Sequence, residues 1–390
     1  MEPSRTFSKG KIVFVALVSG IGVGISRHIL PVIYPSMQAT LEMGYTQLGV
    51  LTSAYFFPYM VFSLICGYLS DRIGSRSIIS LGCLVCAIGI LGMGFSKGFV
   101  SLFIFSLITG VGAGGLYVPT ISSILKWLER KKGLMVSMVL VGEGILGAFV
   151  GLIASLTVLP YSYSWRYIWW LFGSLLFFLT ILLWWAIPDP QSTHDRSFSQ
   201  KKEDISFSQV IRLPKIWSLG LIYFFHALTR GIFVTFCVTY LVSIGVVYGK
   251  ASSAFSFLAV GFIPGAILSG LFSDRIDQKF LLIGLLILQI VSIGLFLLHP
   301  NGLLIYLLIT AVGICATGIP TVMGVLPSRY FAEEVYGKSL GFLTLMLGLG
   351  IAISPVIGGY VGDLTNSLFV PLLLGVVTSC IALGLTFLKI

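Results

Sequence analysis

Twelve long apolar stretches, separated by short polar connections, constrain the fold of this chain more than any other feature of its sequence. A membrane-spanning helix needs about 20 consecutive and mostly apolar residues. Such a helix also satisfies its own backbone hydrogen bonds, which a single strand cannot do. The sequence therefore predicts an all-α membrane protein with twelve transmembrane helices, at residues 12–36, 46–69, 77–96, 99–126, 134–158, 167–187, 215–243, 251–273, 280–298, 303–327, 339–362 and 368–388.

The composition favours the same class of fold and excludes a soluble one. Of the 390 residues, 57% are hydrophobic and only 10% are charged. A soluble domain of this length needs far more polar cover over its core. The first stretch is longer than the apolar core of a signal peptide and has no convincing small-residue cleavage site. We therefore expect it to be retained as the first span.

The net charge of +10 is explained by membrane topology and does not require a nucleic-acid partner. Nineteen of the 24 lysines and arginines lie near the termini or in even-numbered connections, three lie in odd-numbered connections and two lie within spans. Positive residues accumulate on the cytoplasmic side of membrane proteins. We therefore expect a multi-pass protein of the cell (inner) membrane with both termini in the cytoplasm.

The chain divides into two halves that repeat each other. A long polar connection, residues 188–214, separates an N-terminal half (1–187) from a C-terminal half (215–390), which predicts two six-helix bundles and a cytoplasmic linker. The segment GYLSDRIGSR (Gly67–Arg76) follows the second span, and GLFSDRIDQK (Gly270–Lys279) follows the eighth. The same tetrapeptide at the same helix boundary in both halves indicates an internal duplication.

The first repeated segment resembles the signature loop of the major facilitator superfamily, Gly-x-Leu-x-Asp-Arg-x-Gly-x-Arg. With the twelve spans and the two parallel repeats, the resemblance covers nearly the whole chain. It implies the major facilitator fold, in which two pseudo-symmetric bundles alternate access to a central site by a rocker-switch motion.

Both repeated segments carry an aspartate and an arginine where a predicted span ends. Because an aspartate can cap a helix end and pair with an arginine, we expect a charged latch that breaks as the two halves move. Asp277 of the second segment replaces a glycine of the pattern, which weakens the prediction there, and a solvated turn is the alternative. The predicted cytoplasmic gate consists of Gly67, Asp71, Arg72, Gly74, Arg76, Asp274 and Arg275.

Two arginines lie inside predicted spans, at equivalent positions of the two repeats. Arg27 precedes Asp71 by 44 residues, and Arg230 precedes Asp274 by 44. A charge at this depth costs about 2.5–3.5 kcal/mol, and a guanidinium does not deprotonate to avoid the cost. Its planar fork suits carboxylate and phosphate oxygens. We expect the two arginines to line a central cavity and bind a small anionic substrate; the alternative is that each pairs with a protein acid and joins helices.

Glu143 is the single acid deep inside a predicted span. With Glu143 ionised the site would carry a charge of about +1, and with Glu143 protonated about +2, so that protonation would favour anion binding. This is the logic of a proton symporter, and we expect Glu143 to couple protons to transport. A permanent ion pair with an arginine is the alternative.

Three further side chains are predicted to line the same cavity. His226 lies one helical turn before Arg230. Tyr223 lies seven residues before Arg230, and Tyr34 lies seven residues after Arg27. These spacings place all three side chains on the cavity side. His28 is turned by about 100° from its neighbour in the helix, so we expect it to face another helix.

The segments ISRHILPVIYPSM and LTRGIFVTFCVTYL resemble the first and seventh helices of the organophosphate:phosphate antiporters and the related anion:cation symporters. In those antiporters an arginine in each helix holds the substrate phosphate, and Arg27 and Arg230 fall on these positions. The lysine that the antiporters carry late in the second helix is missing here, and Glu143 stands where they have a histidine. These departures favour proton symport of an organic anion, a carboxylate, over phosphate exchange.

Other functions remain as alternatives or receive no support. An anion exchanger for organophosphate and phosphate, or for dicarboxylates, is the first alternative, and a multidrug/proton exporter is less favoured because the predicted cavity is basic. The chain has no Walker motif, no cluster of metal ligands and no Ser-His-Asp arrangement, so we expect no enzymatic activity, no cofactor and no metal. The expected partners are the small anion, protons and the lipid bilayer, and we expect a monomer.

Overall fold

A computed structural model describes residues 9–127, 132–157, 164–187, 210–273, 275–299, 301–331 and 333–389. The described residues form thirteen long α-helices and one short 3-10 helix, Leu326–Arg329. The first seven helices are α1 (Lys9–Leu41), α2 (Tyr45–Ile73), α3 (Ser75–Phe95), α4 (Phe99–Gly114), α5 (Tyr117–Trp127), α6 (Lys132–Thr157) and α7 (Arg166–Ala186). The other six are α8 (Pro214–Ser243), α9 (Tyr248–Ser273), α10 (Gln278–Leu297), α11 (Leu303–Val325), α12 (Glu333–Thr365) and α13 (Phe369–Lys389).

Twelve helical segments of the described chain are long enough and apolar enough to cross a membrane. This confirms the predicted all-α fold with twelve spans and makes the chain a multi-pass membrane protein. The fourth span is built from α4 and α5, which are separated by a turn at Gly115 and Leu116. Helices α1 and α12 have 33 residues each, more than the 20 or so that a bilayer requires, so they tilt or extend beyond it.

The chain folds into two compact units. The first unit comprises Met1–Ile29, Pro58–Val150 and Tyr163–Ser197, and the second comprises Leu30–Phe57, Gly151–Ser162 and Phe198–Ile390. Three long helices, α1, α2 and α6, contribute residues to both units. The division of the sequence at residues 188–214 stays a prediction, and residues 188–209 of that linker lie outside the described part of the chain.

Glycines of the first unit lie where helices meet. A Cβ added to Gly112 of α4 would overlap the backbone nitrogen of Cys86 in α3. A Cβ added to Gly82 would come within 2.8 Å of the Cα of Gly115. Small residues allow such backbone contact between membrane helices, where dispersion forces have to replace the hydrophobic effect. The glycine run at residues 110–115 is therefore a helix-packing surface.

The first turn of α2 packs on α12 within the second unit. The Asp363 carboxylate accepts one hydrogen bond from the Tyr45 backbone N–H at 2.7 Å and another from Thr46 at 2.8 Å. A Cβ added to Gly359 or Gly49 would overlap the facing backbone, at Tyr45 and Pro355 respectively. The carboxylate of one helix thus caps the N-terminus of another, satisfying amides that have no partner within their own helix.

The two repeated segments form different turns. Gly74 connects α2 to α3 with a φ of 94°, a conformation that side chains rarely tolerate. Asp277 has a φ of −56°, accepts a hydrogen bond from the Lys279 backbone N–H at 2.9 Å and caps α10. Its carboxylate also accepts a hydrogen bond from Arg329, which lowers the pKa of the Asp277 carboxyl. Asp277 therefore does not disrupt its turn but serves as the cap of the next helix.

The cap of α2 gives the first prediction. Replacing Asp363 by alanine leaves the Tyr45 and Thr46 amides without their acceptor, at a cost of about 0.5–2 kcal/mol. Hydrogen exchange of the peptide covering the first turn of α2 should accelerate by about 2- to 30-fold. The variant Asp363→Asn keeps one carbonyl acceptor and should show a smaller effect. Unchanged exchange in Asp363→Ala would show that the contact contributes nothing to the stability of this helix end.

The turn at Gly74 gives the second prediction. Gly74→Ala forces a side chain into a positive-φ conformation, which should cost about 1–3 kcal/mol and lower the apparent midpoint of thermal unfolding in detergent. Gly341→Ala is the matched control, because Gly341 lies in a helix and its added Cβ would meet no atom within 4 Å. We expect no loss from the control, and equal midpoints for the two variants would contradict the prediction.

Candidate functional site

Arg27 and Glu143 form an ion pair inside the first unit. The Nη1 atom of Arg27 donates a hydrogen bond to Oε1 of Glu143 at 2.9 Å. The Arg27 side chain is 16% exposed and that of Glu143 is 3% exposed. An acid and a base that are both withdrawn from water stabilise each other only through such close geometry. The structure thus brings together the first of the two predicted arginines and the predicted coupling acid.

Glycines place this pair by letting α1 and α6 touch along their backbones. A Cβ added to Gly24 would come within 2.7 Å of the Glu143 carbonyl oxygen. One added to Gly20 would overlap the carbonyl oxygen of Val139, and one added to Gly142 would overlap that of Leu17. Gly20 and Gly24 are one helical turn apart, the spacing of small residues at close membrane-helix contacts. The backbone contact is what brings the two charged side chains within hydrogen-bond distance.

Two aromatic rings lie close to Arg27 in the first unit. The Cζ atom of Arg27 lies 4.7 Å from the ring centroid of Tyr59 in α2 and 5.6 Å from that of Tyr117 in α5. Guanidinium groups are attracted to the faces of aromatic rings at such distances. Neither tyrosine was predicted as part of the site, since nothing in their own helices marks them.

His28 lies beside the same carboxylate. Its Nε2 atom is 3.9 Å from Oε1 of Glu143, the oxygen that also accepts the hydrogen bond from Arg27. The His28 side chain is 4% exposed. The sequence predicted that His28 faces a neighbouring helix; the structure adds that this helix is α6 and that it presents Glu143. A carboxylate on a neighbouring helix can be reached from two consecutive residues, which a helical projection of α1 alone does not reveal.

The second predicted arginine lies in the second unit with a different set of neighbours. Arg230 is partly buried on α8, and its Cζ atom lies 5.7 Å from the ring centroid of Phe262 in α9. His226 is fully buried one turn earlier, and its Nδ1 atom is 2.9 Å from Oε1 of Gln289 in α10. The rings of Tyr223 and His226 are stacked with centroids 6.4 Å apart.

Gln289 was missed by the sequence analysis. It is the polar partner of His226 and is itself buried, at 2% exposure. Its signal in the sequence is a lone amide in the otherwise apolar stretch LLILQIVSI of the ninth span. A buried imidazole and a buried amide in lipid surroundings each require a partner, and here they provide it for each other.

Tyr34 was predicted to line the cavity, and its hydroxyl makes contacts within the second unit. Its side chain is fully buried in the second unit, where the hydroxyl donates a hydrogen bond to the Leu48 carbonyl oxygen at 2.8 Å and contacts the Thr52 hydroxyl. The hydroxyl therefore joins α1 to α2. A role for Tyr34 in substrate binding stays a prediction.

The predicted gate residues are only partly described. Arg72 lies over the ring of Tyr68 and Arg76 over the ring of Trp184, each with its Cζ atom 4.5 Å from the centroid. Gly67 lies close to Val118, with an added Cβ 3.1 Å from that side chain. Asp274 and the side chain of Asp71 lie outside the described part of the structure, and Arg275 is exposed. The charged latch stays a prediction.

Comparison with known proteins gives relatives that match most of the chain. The benzoate transport protein of Acinetobacter baylyi is 22% identical over 380 residues, covering 85% of this chain and 80% of its own. A probable sulfoacetate transporter of Cupriavidus necator is 21% identical over 398 residues, covering 93% of this chain and 87% of its own. These matches do not confirm the narrower resemblance to organophosphate:phosphate antiporters, which stays a prediction.

The fold and the family are shown by two further matches. The crystal structure of a bacterial homolog of the human lysosomal transporter Spinster superposes with a TM-score of 0.83, at 17% identity, covering 100% of this chain and 97% of the other. The family model of the Major Facilitator Superfamily matches residues 12–249 and 219–390. This chain therefore belongs to the major facilitator superfamily of membrane transporters.

Proposed function

We propose that this chain is a secondary active transporter that carries an organic anion with a carboxylate group by symport with protons. The Arg27–Glu143 pair is the observation that carries the proposal. It places a permanent cation and a titratable acid 2.9 Å apart, with little exposure, inside two mostly apolar helices. Intramembrane ionisable groups of this kind mark substrate and proton pathways in transporters.

An anion is the substrate class that two intramembrane arginines recognise best. Guanidinium keeps its charge at every physiological pH, and its fork donates two parallel hydrogen bonds to a carboxylate. We infer that Arg27 and Arg230 each bind the anion, with Tyr223 and His226 near the second arginine. Two relatives are named for benzoate and sulfoacetate, both of which carry a carboxylate. This agreement in chemistry supports a carboxylate as the ligand.

Proton coupling follows from the charges of the Arg27–Glu143 pair. With Glu143 ionised the pair is neutral, and Arg27 is held by its protein partner. When Glu143 takes up a proton, the carboxyl group becomes neutral and the guanidinium is released to bind a substrate carboxylate. Anion and proton are then carried together by alternating access, and the empty carrier returns with the neutral pair restored.

An anion exchanger is the second candidate, and the same pair favours it in one respect. If the contact between Arg27 and Glu143 persists through the transport cycle, no proton is taken up with the substrate. Transport would then require an anion on each side of the membrane. In that case Arg230 would be the main side chain that binds the anion, and Glu143 would only join α6 to α1.

Uptake into proteoliposomes is the third prediction and separates the two candidates. Sulfoacetate is the better first probe, since its sulfonate stays charged and it does not leak as a neutral acid. Benzoate needs a protein-free liposome control for such leakage. We expect an inward proton gradient alone to drive accumulation of one or both carboxylates, but not of inorganic phosphate or a sugar phosphate. Uptake that requires an internal anion and ignores the gradient would identify an exchanger.

Glu143→Gln is the matched variant for this assay. Glutamine has the size of the protonated acid, so the variant should still exchange anions in counterflow, where no net proton movement is needed. It should lose accumulation driven by the proton gradient. Accumulation at the wild-type level would exclude Glu143 as the coupling group.

The role of the arginines gives the fourth prediction. Arg27→Lys and Arg230→Lys keep the charge but lose the fork, and a charge-assisted hydrogen bond contributes about 1.5–3 kcal/mol. The anion concentration for half-maximal counterflow should therefore rise by about 10- to 150-fold. Arg166→Lys is the control. Arg166 lies at the start of α7 and donates a hydrogen bond to the Ser96 carbonyl oxygen, so it already has a protein partner and is not proposed to bind the anion. Equal values for all three variants would contradict binding by Arg27 and Arg230.

A further inference from the structure

We propose that His28 is a relay residue that delivers the coupled proton to Glu143. The inference rests on the proposed proton symport and specifies how the proton enters the Arg27–Glu143 pair. It assigns a function to a side chain that would otherwise be a buried polar residue of α1.

The geometry of three side chains supports this role. Nε2 of His28 lies 3.9 Å from Oε1 of Glu143, and Nη1 of Arg27 lies 2.9 Å from the same oxygen. The imidazole is within ion-pair distance of the carboxylate but too far for a hydrogen bond, and a displacement of about 1 Å would form one. Both side chains are nearly withdrawn from water, at 4% and 3% exposure. A proton on His28 therefore lies within ion-pair distance of the Glu143 carboxylate.

Charge counting shows what a single proton does at this site. Arg27, Glu143 and neutral His28 together carry no net charge. A proton added to His28 leaves the Arg27–Glu143 contact intact beside an imidazolium. The same proton moved to Glu143 leaves a neutral imidazole and a neutral carboxyl group, so Arg27 becomes the remaining charge and is available to an anion.

The titratable groups described near the three side chains differ from histidine in where they ordinarily titrate. Tyr59 from α2 and Tyr117 from α5 lie beside Arg27. Cys86 from α3 lies beside Ser26, two residues before His28. Phenols and thiols ordinarily titrate above neutral pH, whereas histidine is the side chain whose ordinary titration lies between about pH 5 and 8. The proton transfer is therefore assigned to His28 and Glu143 and not to the tyrosines or the cysteine.

The proposed step is a simple proton transfer. The N–H bond at Nε2 of the His28 imidazolium breaks, and an O–H bond forms at Oε1 of Glu143. The electron pair stays on the nitrogen, and no other reactant is needed. The same transfer runs backwards when the substrate leaves and Arg27 returns to the ionised carboxylate. His28 touches neither substrate nor guanidinium in this scheme, and it acts through Glu143.

The fifth prediction compares two modes of transport in His28→Gln proteoliposomes. Gradient-driven uptake of sulfoacetate should fall by about tenfold or more, as expected when a positioned proton donor is removed, and its pH dependence between pH 5 and 8 should flatten. Counterflow at equal pH should stay within about twofold of wild type, since it needs no proton transfer. The matched control His299→Gln changes an exposed histidine after α10 and should leave both modes unchanged.

A double variant tests whether His28 acts through Glu143. In a Glu143→Gln background gradient-driven uptake is expected to be lost, so counterflow is the readout that remains. There His28→Gln should leave counterflow within about twofold of the single variant, because the acceptor of the proton is already gone and counterflow needs no proton transfer. If His28→Gln fails to fold, the smaller His28→Asn serves in the same assays. A large loss of counterflow in the double variant would overturn the relay, because it would give His28 a role that does not act through Glu143.

The outcomes separate the relay from the proposed symport. If wild-type protein shows no gradient-driven uptake, proton symport itself is wrong and the relay falls with it. If wild-type uptake depends on the gradient and His28→Gln keeps the same pH profile, only the relay is wrong. An equal loss of both transport modes would assign His28 to packing and also overturn the relay. Selective loss of gradient-driven uptake supports it.

Discussion

Placing a guanidinium among apolar helices removes water that would otherwise solvate its charge, and the first unit of this transporter is organised around that cost. Arg27 receives a carboxylate from α6 and two aromatic rings from α2 and α5. The carboxylate reaches it because glycines on α1 and α6 allow backbone contact. The packing of these two helices therefore determines the chemistry of the site. A larger residue at Gly24 would push α6 away from α1 and separate Arg27 from Glu143.

The same constraint explains the other polar contacts of the described chain. Asp363 caps the first turn of α2 in a partly buried contact, and the buried His226 pairs with the buried Gln289. Each contact supplies a partner to a group that apolar surroundings would leave unsatisfied. A proton entering the Arg27–Glu143 pair is the change that the proposed cycle uses.

Much of this protein follows from its sequence because the bilayer leaves few alternatives. Long apolar stretches can only become helices, so the twelve spans and the all-α fold were predictable. The repeated tetrapeptide aligned the two halves and placed Arg27 and Arg230 at equivalent positions. Glu143 stood out as the lone acid within a span. These predictions depend on local composition and on spacing along the chain, both of which are visible without coordinates.

Tertiary structure alone decided which of these groups meet. Helical periodicity gives the direction of a side chain from its own axis, but it does not say which residue of another helix lies there. His28 and Arg27 point in different directions, yet both reach Glu143 because α6 lies close against α1. The hydroxyl of Tyr34 donates a hydrogen bond to the Leu48 carbonyl oxygen of α2, a contact that its spacing from Arg27 did not predict. The sequence determined the helices and their charges, and the packing of glycine against backbone determined the partners.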